Sequence, residues 1–95
     1  MIKTDKIAVV ILNWNGRDMM RRFLPSVVKN SQPEGCVIVA DNGSTDGSLQ
    51  MLTEEFPEVL QLPLPQNYGF AEGYNQALKQ IDAPYYLLLN SDVEV

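Results

Sequence analysis

Apolar and polar residues alternate along this chain in blocks, and four of the blocks are short and mostly apolar. They cover residues 7–12, 36–40, 59–62 and 85–89; of these only 59–62 is interrupted, by Gln61, and each is followed by polar or turn-forming residues. Unbroken runs of this length, rich in β-branched residues, are typical of strands buried on both faces of a parallel sheet. The pattern therefore predicts four strands.

Three stretches between these strands carry apolar residues at helical spacing, which predicts helices over residues 17–30, 47–56 and 70–81. Pro25 lies inside the first stretch, and we expect a kink or break there, with a second short helical piece beginning at the proline. Gly73 weakens the third helix by about 1 kcal/mol relative to alanine, so it indicates close packing or room for a ligand. The order β-α-β-α-β-α-β predicts an α/β fold with three layers, α/β/α, around a mainly parallel sheet. Residues 1–95 are expected to form a single domain.

Polar side chains follow three of the predicted strands, at Asn13 and Asn15, at Asp41 and Asn42, and at residues 90–92. The carboxyl ends of parallel strands share one edge of a sheet, where ligands of open α/β folds bind. Convergence of these clusters would make a small-molecule site. Each cluster alone is better explained as a turn than as a site, so a generic α/β domain without a ligand remains the alternative if they do not converge.

The composition excludes several kinds of site. One cysteine and no histidine rule out a disulfide within the chain and a Cys/His zinc site, and a reducing cytoplasmic setting fits. The net charge of −5 argues against nucleic acid as a partner, although backbone amides or a metal ion could still hold one nucleotide. The glycine-rich dinucleotide and P-loop motifs are missing, and the apolar run after the first residues is too short to cross a membrane.

Four ordered segments then resemble a known family. V-V-I-L-N-W-N-G (9–16), A-D-N-G-S-T-D-G-S (40–48), Q-N-Y-G-F-A-E-G-Y-N-Q-A-L (66–78) and L-L-L-N-S-D-V (87–93) look like the start of a family 2 glycosyltransferase of the GT-A fold. The bacterial rhamnosyl- and galactosyltransferases of polysaccharide biosynthesis resemble it most. The resemblance covers nearly the whole chain and implies the nucleotide-sugar-binding portion of such an enzyme.

The resemblance also implies roles for individual residues. The family's carboxylate after the second strand, here Asp41, contacts the nucleobase, and Asn13 and Asn15 line the nucleoside pocket. The full set implied to bind the nucleotide sugar is Asn13, Asn15, Asp41, Asn42, Asn67, Gly69, Phe70, Gly73, Asn75 and Asn90.

The family's D-x-D motif reads Asn90-Ser91-Asp92 in this chain. The resemblance implies that Asp92 holds a divalent cation, Mg²⁺ or Mn²⁺, that bridges the diphosphate of the bound nucleotide sugar. A hard cation prefers carboxylate and phosphate oxygens. Asparagine at the first position leaves one anionic ligand fewer, and a turn-forming aspartate is the alternative explanation of Asp92.

The expected function is therefore binding of a UDP- or dTDP-sugar for transfer to a saccharide acceptor. In this family the base that deprotonates the acceptor belongs to the C-terminal half, which is absent here, so no catalytic residue is assigned. We expect the 95 residues alone not to catalyse transfer. The full-length enzyme is expected in the cytoplasm, including peripherally at the inner face of the membrane.

A second interpretation is a non-catalytic nucleotide-binding or dimerising module, in which a second copy covers apolar sheet surface left open after the last strand. A few side chains receive structural expectations instead of functional ones. Trp14 is expected to pack in the core, although it could instead stack on a base or sugar. Tyr85 and Tyr86 are expected to pack within their strand. Cys36 is expected to be buried and inert, and Asp46 to cap a helix.

Overall fold

The structure is a computed structural model that describes residues 2–31 and 34–90. In chain order the strands and helices in these ranges are β1 (Ile2–Lys3), β2 (Ile7–Asn13), α1 (Arg17–Ser31), β3 (Gly35–Asp41), α2 (Ser48–Glu55), β4 (Leu60–Pro63), α3 (Phe70–Leu78), β5 (Ile81–Asp82) and β6 (Tyr85–Asn90). The four strands predicted from the apolar runs are present as β2, β3, β4 and β6.

These four strands form one parallel sheet in the order β4-β3-β2-β6. The chain moves from β2 outward to β4, and then returns to the other side of β2 with β6. This reversal of strand order places the crevice typical of open α/β sheets outside the carboxyl ends of β2 and β6. The register is simple, because Asn13 pairs with Asp41 and Leu12 pairs with Asn90.

Alternate residues of the sheet face two separate cores. Val9, Ile11, Val37 and Val39 pack with the buried side chains of α1 and α2, whereas the other face of β2 and β3 packs with Tyr74 and Ala77 of α3. Successive strand residues point to opposite faces, so both faces of the central strands are buried. The result is the three-layer α/β/α arrangement around a parallel sheet that the sequence predicted.

Helix α1 corrects the expectation at Pro25, because one helix runs from Arg17 to Ser31 through the proline. Phe23 and Leu24 before the proline and Val27 after it are all buried against the same face of the sheet. Pro25 itself is exposed. Burial on both sides of the proline thus holds the two halves in one helix despite the backbone hydrogen bond that proline cannot donate.

The third helix ends earlier than the apolar spacing predicted, at Leu78 instead of Ile81. Ile81 belongs to β5, which pairs in parallel with β1 in a separate two-stranded sheet. Strands of two residues carry no recognisable sequence pattern, and neither was predicted. This small sheet ties the start of the described chain to the connection between α3 and β6.

Strand β6 lies at the edge of the sheet and pairs, within the described residues, only with β2. Its apolar side chains are unusually open: Tyr85 is 70% exposed, Leu87 51%, Leu88 44% and Tyr86 43%. The expectation that the two tyrosines pack within the strand was wrong, because both are exposed. The Tyr86 hydroxyl instead donates to the carbonyl of Ile81 at 2.8 Å. No helix in the described ranges has the length and apolar character needed to cross a membrane.

Candidate functional site

The side chains of Asn13 and Asp41 meet at the carboxyl ends of β2 and β3. The register puts the two residues opposite each other, and Asn13 Nδ2 donates to Asp41 Oδ1 at 2.9 Å. Asn13 is fully buried and Asp41 is 2% exposed. A buried carboxylate requires hydrogen-bond donors to offset its lost hydration, and the neighbouring strand supplies one of them.

Ser44 supplies the second donor and joins the loops that follow the two strands. The Ser44 backbone N–H donates to Asp41 Oδ2 at 2.9 Å, and its hydroxyl accepts from Asn13 Nδ2 at 3.2 Å. The same hydroxyl accepts the backbone N–H of Asn15 at 2.8 Å. The local sequence contains no signal for this link from Ser44 across to the first loop.

Asn15 completes this connection from the other side. It has a φ of 51°, in the left-handed region that asparagine tolerates better than most residues. Its Oδ1 accepts the backbone N–H of Thr45 at 2.7 Å. The loop after β2 (residues 14–16) and the loop after β3 (residues 42–47) are therefore bonded to each other in both directions.

Asn42 connects the loop after β3 to the loop after β4 (residues 64–69). Its Nδ2 donates to Asn67 Oδ1 at 3.1 Å and to the carbonyl of Gly69 at 3.0 Å, and its Oδ1 accepts the Tyr68 N–H at 2.9 Å. Asn42 is only 3% exposed. One buried carboxamide thus fixes three consecutive residues of the third loop.

Gly73 makes room for this carboxamide in the first turns of α3. A Cβ atom at Gly73 would lie 3.0 Å from Asn42 Nδ2 and 3.0 Å from both Cδ atoms of Leu12. Contacts this short are strongly disfavoured between a Cβ and fixed neighbours. Of the two explanations considered for this glycine, close packing accounts for it directly.

Asp46 holds the N-termini of two helices. Its Oδ2 accepts the backbone N–H of Arg17 at 3.0 Å, and its Oδ1 accepts the N–H of Ser48 at 3.0 Å and also the Ser48 hydroxyl. Burial opposes ionisation, but the hydrogen bonds from Ser48, Arg17 and the Asp46 backbone together hold the pKa of Asp46 below its ordinary value. The expected helix cap is present, and it serves α1 as well as α2.

Two aromatic side chains stand exposed beside this polar network. Trp14 follows Asn13 and is 55% exposed, so the expectation that it packs in the core was wrong. Phe70 follows Gly69, is 62% exposed and contacts Tyr74 edge-to-face with ring centroids 5.4 Å apart. Both aromatic residues adjoin residues of the network, which makes them available to a ligand at this edge.

The structure therefore sorts the predicted site residues into two groups. The buried group is Asn13, Asp41, Asn42 and Gly73, and the exposed group is Asn15, Asn67, Gly69, Phe70 and Asn75. Asn75 lies on α3, and no side-chain contact joins it to the network among the described residues. Asn90 ends β6. The Tyr74 hydroxyl, which the sequence did not single out, donates to the carbonyl of Leu89 just before it.

The predicted metal ligand Asp92 lies outside the described residues. Within residues 2–31 and 34–90 no three carboxylate or thiol side chains are grouped closely enough to hold a metal ion. The Asp41 carboxylate of the network is 2% exposed and accepts one hydrogen bond at each oxygen.

Comparison with known proteins defines the class. The family model described as "Glycosyl transferase family 2" matches residues 8–95. The chain belongs to this family of glycosyltransferases. It is 33% identical over 78 residues to an N-acetylglucosaminyl-diphospho-decaprenol L-rhamnosyltransferase of Mycobacterium tuberculosis. The aligned region makes up 82% of this chain and 25% of the relative. The chain thus spans about a quarter of that relative's length.

Solved structures agree with the GT-A fold. Residues 1–349 of S. aureus TarS, solved in complex with UDP-GlcNAc, superpose on this chain with a TM-score of 0.78 and 29% sequence identity. The superposition covers 92% of this chain and 26% of the TarS chain. A Pyrobaculum calidifontis mannosyltransferase in complex with GDP-Man and Mn²⁺ has a TM-score of 0.80 and 20% identity, covering 94% of this chain and 28% of its own. The second likeness shows the fold alone.

Proposed function

We propose that this chain binds the donor of a glycosyltransferase, a UDP- or dTDP-sugar, at the carboxyl edge of its sheet. The observation that carries the proposal is the hydrogen-bonded network that joins the three loops after β2, β3 and β4, beginning at β2, where the strand order reverses. Preorganised loops at this position are where open α/β sheets bind nucleotides. The UDP-GlcNAc bound by TarS supports a nucleotide sugar as the ligand.

In this proposal the exposed residues touch the donor and the buried ones hold them in place. Trp14 offers a flat apolar surface for a base or sugar, and Asn15 and Asn67 offer polar groups from fixed loops. Asp41 is implied to contact the nucleobase, but its carboxylate is 2% exposed and both oxygens accept hydrogen bonds. Each carboxylate oxygen can accept a further hydrogen bond, so direct contact with a base requires only that the ligand reach this buried group.

The charge of a diphosphate points to a divalent cation. The three loops, residues 14–16, 42–47 and 64–69, contain no lysine or arginine, and Arg17 directly after the first loop already donates to the carbonyl of Asp46. Diphosphate oxygens need positive charge or many N–H donors. We propose Mg²⁺ or Mn²⁺ bound with the nucleotide at Asp92, where it would neutralise charge on the leaving nucleoside diphosphate.

Titration calorimetry tests the proposal. We expect wild-type chain to bind UDP or dTDP more tightly with Mn²⁺ than without it, Asp41→Ala to weaken nucleotide binding, and Asp92→Ala to remove the effect of Mn²⁺. Circular dichroism of each variant checks that the chain is folded. A folded wild-type chain that binds neither nucleotide with or without Mn²⁺ would contradict the proposal.

The same proposal extends to the catalytic capacity and location of the protein. We propose that the 95 residues bind donor without transferring sugar, because the matched region is only 25% and 35% of the length of two glycosyltransferase relatives. Release of UDP from a UDP-sugar by this chain with saccharide acceptors present would refute this point.

Relatives named for decaprenol and undecaprenyl-phosphate carriers support a cytoplasmic enzyme that works at the inner face of the membrane.

The open edge of β6 favours a second candidate, a dimerising module. Four large apolar side chains of this strand are 43–70% exposed, and its outer edge has unpaired backbone groups among the described residues. Such an edge is a template for pairing with another strand. Sedimentation at micromolar concentration would show a dimer that Leu87→Lys dissociates, whereas a monomeric wild-type chain would exclude this candidate.

A further inference from the structure

The carboxamide of Asn42 is bonded to the protein and shielded from a ligand. A carboxamide offers two N–H donors and an oxygen with two lone pairs. Both donors are used, by Asn67 Oδ1 and the Gly69 carbonyl, and the oxygen accepts the Tyr68 N–H. With 3% of the residue exposed and Gly73 packed behind it, Asn42 has no free donor and no open path to a bound nucleotide.

The carboxamide of Asn67 is held in one orientation by these same contacts. Its Oδ1 accepts from Asn42 Nδ2 and from the Gly69 backbone N–H at 2.8 Å. A backbone N–H can only donate, so the oxygen must be the atom that faces Gly69. The NH₂ group of Asn67 is therefore the free end of an exposed side chain, and it has no acceptor among the described residues.

We propose that Asn42 is a positioning residue that fixes Asn67, and that the Asn67 NH₂ group donates to an acceptor oxygen of the ligand. Two parts of a nucleotide carry such oxygens, the carbonyl groups of a pyrimidine base and the diphosphate. The ligand half of this proposal rests on the proposed function; the positioning half does not. It differs from the resemblance, which assigns Asn42 to the ligand directly.

Amide hydrogen exchange measured by NMR tests the positioning half without any ligand. Asn42→Ala removes all three contacts, so we expect the Tyr68 and Gly69 amides to exchange about fivefold faster or more, as for loss of one ordinary hydrogen bond. Asn42→Asp keeps an acceptor for Tyr68 but cannot donate to Asn67, so Gly69 exchanges faster while Tyr68 stays protected. If Gly69 exchange is unchanged in both variants, Asn42 does not position Asn67.

Asn67→Asp isolates the ligand half, because a carboxylate still accepts from Asn42 and Gly69 but has no NH₂ group. This exposed substitution is expected to fold and to keep the Tyr68 and Gly69 amides protected. We expect it and Asn67→Ala to weaken UDP binding by about fivefold, the value of one neutral hydrogen bond. Asn30→Ala, which removes an exposed carboxamide at the end of α1, serves as the matched control and should leave affinity unchanged.

The double variant Asn42→Ala/Asn67→Ala separates positioning from direct contact. If Asn42 acts only through Asn67, the double variant binds UDP no more weakly than Asn67→Ala; additive losses would overturn the assignment. Uridine and pyrophosphate as separate probes distinguish the two sources of the acceptor oxygen, since only the one that Asn67 contacts should lose affinity in Asn67→Ala. If the wild-type chain binds none of these probes, the proposed function and the ligand half fail, while the exchange data still decide the role of Asn42.

Discussion

Replacement of Asn13 by aspartate changes the buried pair at the carboxyl ends of β2 and β3 with almost no change of shape. The wild-type amide donates to Asp41 at 2.9 Å and to Ser44 at 3.2 Å. In Asn13→Asp both donations are lost and two carboxylates face each other in a buried site. Charges about 4 Å apart repel by about 4 kcal/mol even at an effective dielectric constant near 20.

The repulsion between the two carboxylates cannot cost more than the free energy of protonating one of them, because a proton on one group removes the repulsion. A carboxyl group with an ordinary pKa near 3.9 costs about 4 kcal/mol to protonate at pH 7, and about 1.5 kcal/mol at pH 5. The shared proton also restores one hydrogen bond between the two oxygens. We therefore expect Asn13→Asp to lower the free energy of unfolding by about 4 kcal/mol at pH 7, a large part of the stability of a small domain.

The pH dependence is the specific part of this prediction. The folded variant binds a proton that the unfolded chain does not, so its stability should rise as pH falls, by about 1.4 kcal/mol per pH unit between pH 7 and pH 5. Urea unfolding followed by circular dichroism at both pH values measures it. Asn30→Asp makes the same substitution at an exposed site and should show no such slope. Equal deficits of Asn13→Asp at the two pH values would refute the reasoning.

Three further predictions concern the helices. Asp46→Ala should lower the free energy of unfolding by about 1–2 kcal/mol through loss of the shared cap. Because the pKa of Asp46 is lowered in the folded chain, this contribution is present above pH 3.8. In urea titrations, the difference in stability between variant and wild type should therefore close as pH falls below that value. Tyr74→Phe keeps the ring but loses the hydroxyl bond to Leu89, so thermal unfolding should show a loss of about 1 kcal/mol. Pro25→Ala should raise the melting temperature, since proline inside a helix costs about 3 kcal/mol and only part of that is returned by the stiffer unfolded chain; an unchanged or lower value would mean that the helix is not strained there.

Strands and layers followed from the sequence because burial on both faces leaves an unbroken apolar run. The runs that became β2 and β3 were located within one or two residues, and the edge shared by their polar ends followed from parallel pairing alone. The family resemblance also held. These features depend on local composition and on rules common to all parallel sheets, which is why one sequence is enough to predict them.

Features set by contacts distant in sequence could not be predicted. Asn42 and Asn67 both occur in loops and have the same side chain, yet one is buried with both of its N–H donors in use while the other is exposed. Trp14 was assigned to the core from its place beside a buried strand, but it lies just past Asn13, the last residue of that strand, and is exposed. Only the folded arrangement of three loops distinguishes a residue that supports the site from one that meets a ligand.

The two neighbours of β2 come from very different parts of the chain. Its partner β3 follows after a single helix, whereas Tyr85 of β6, which pairs with Ile7, is synthesised only after both remaining helices. During synthesis β2 therefore stays an unpaired edge on one side until β6 has followed it. Contacts of such high sequence separation slow folding and expose sheet edges to association with other chains. The same pairing that completes the sheet is thus the one that closes this edge last.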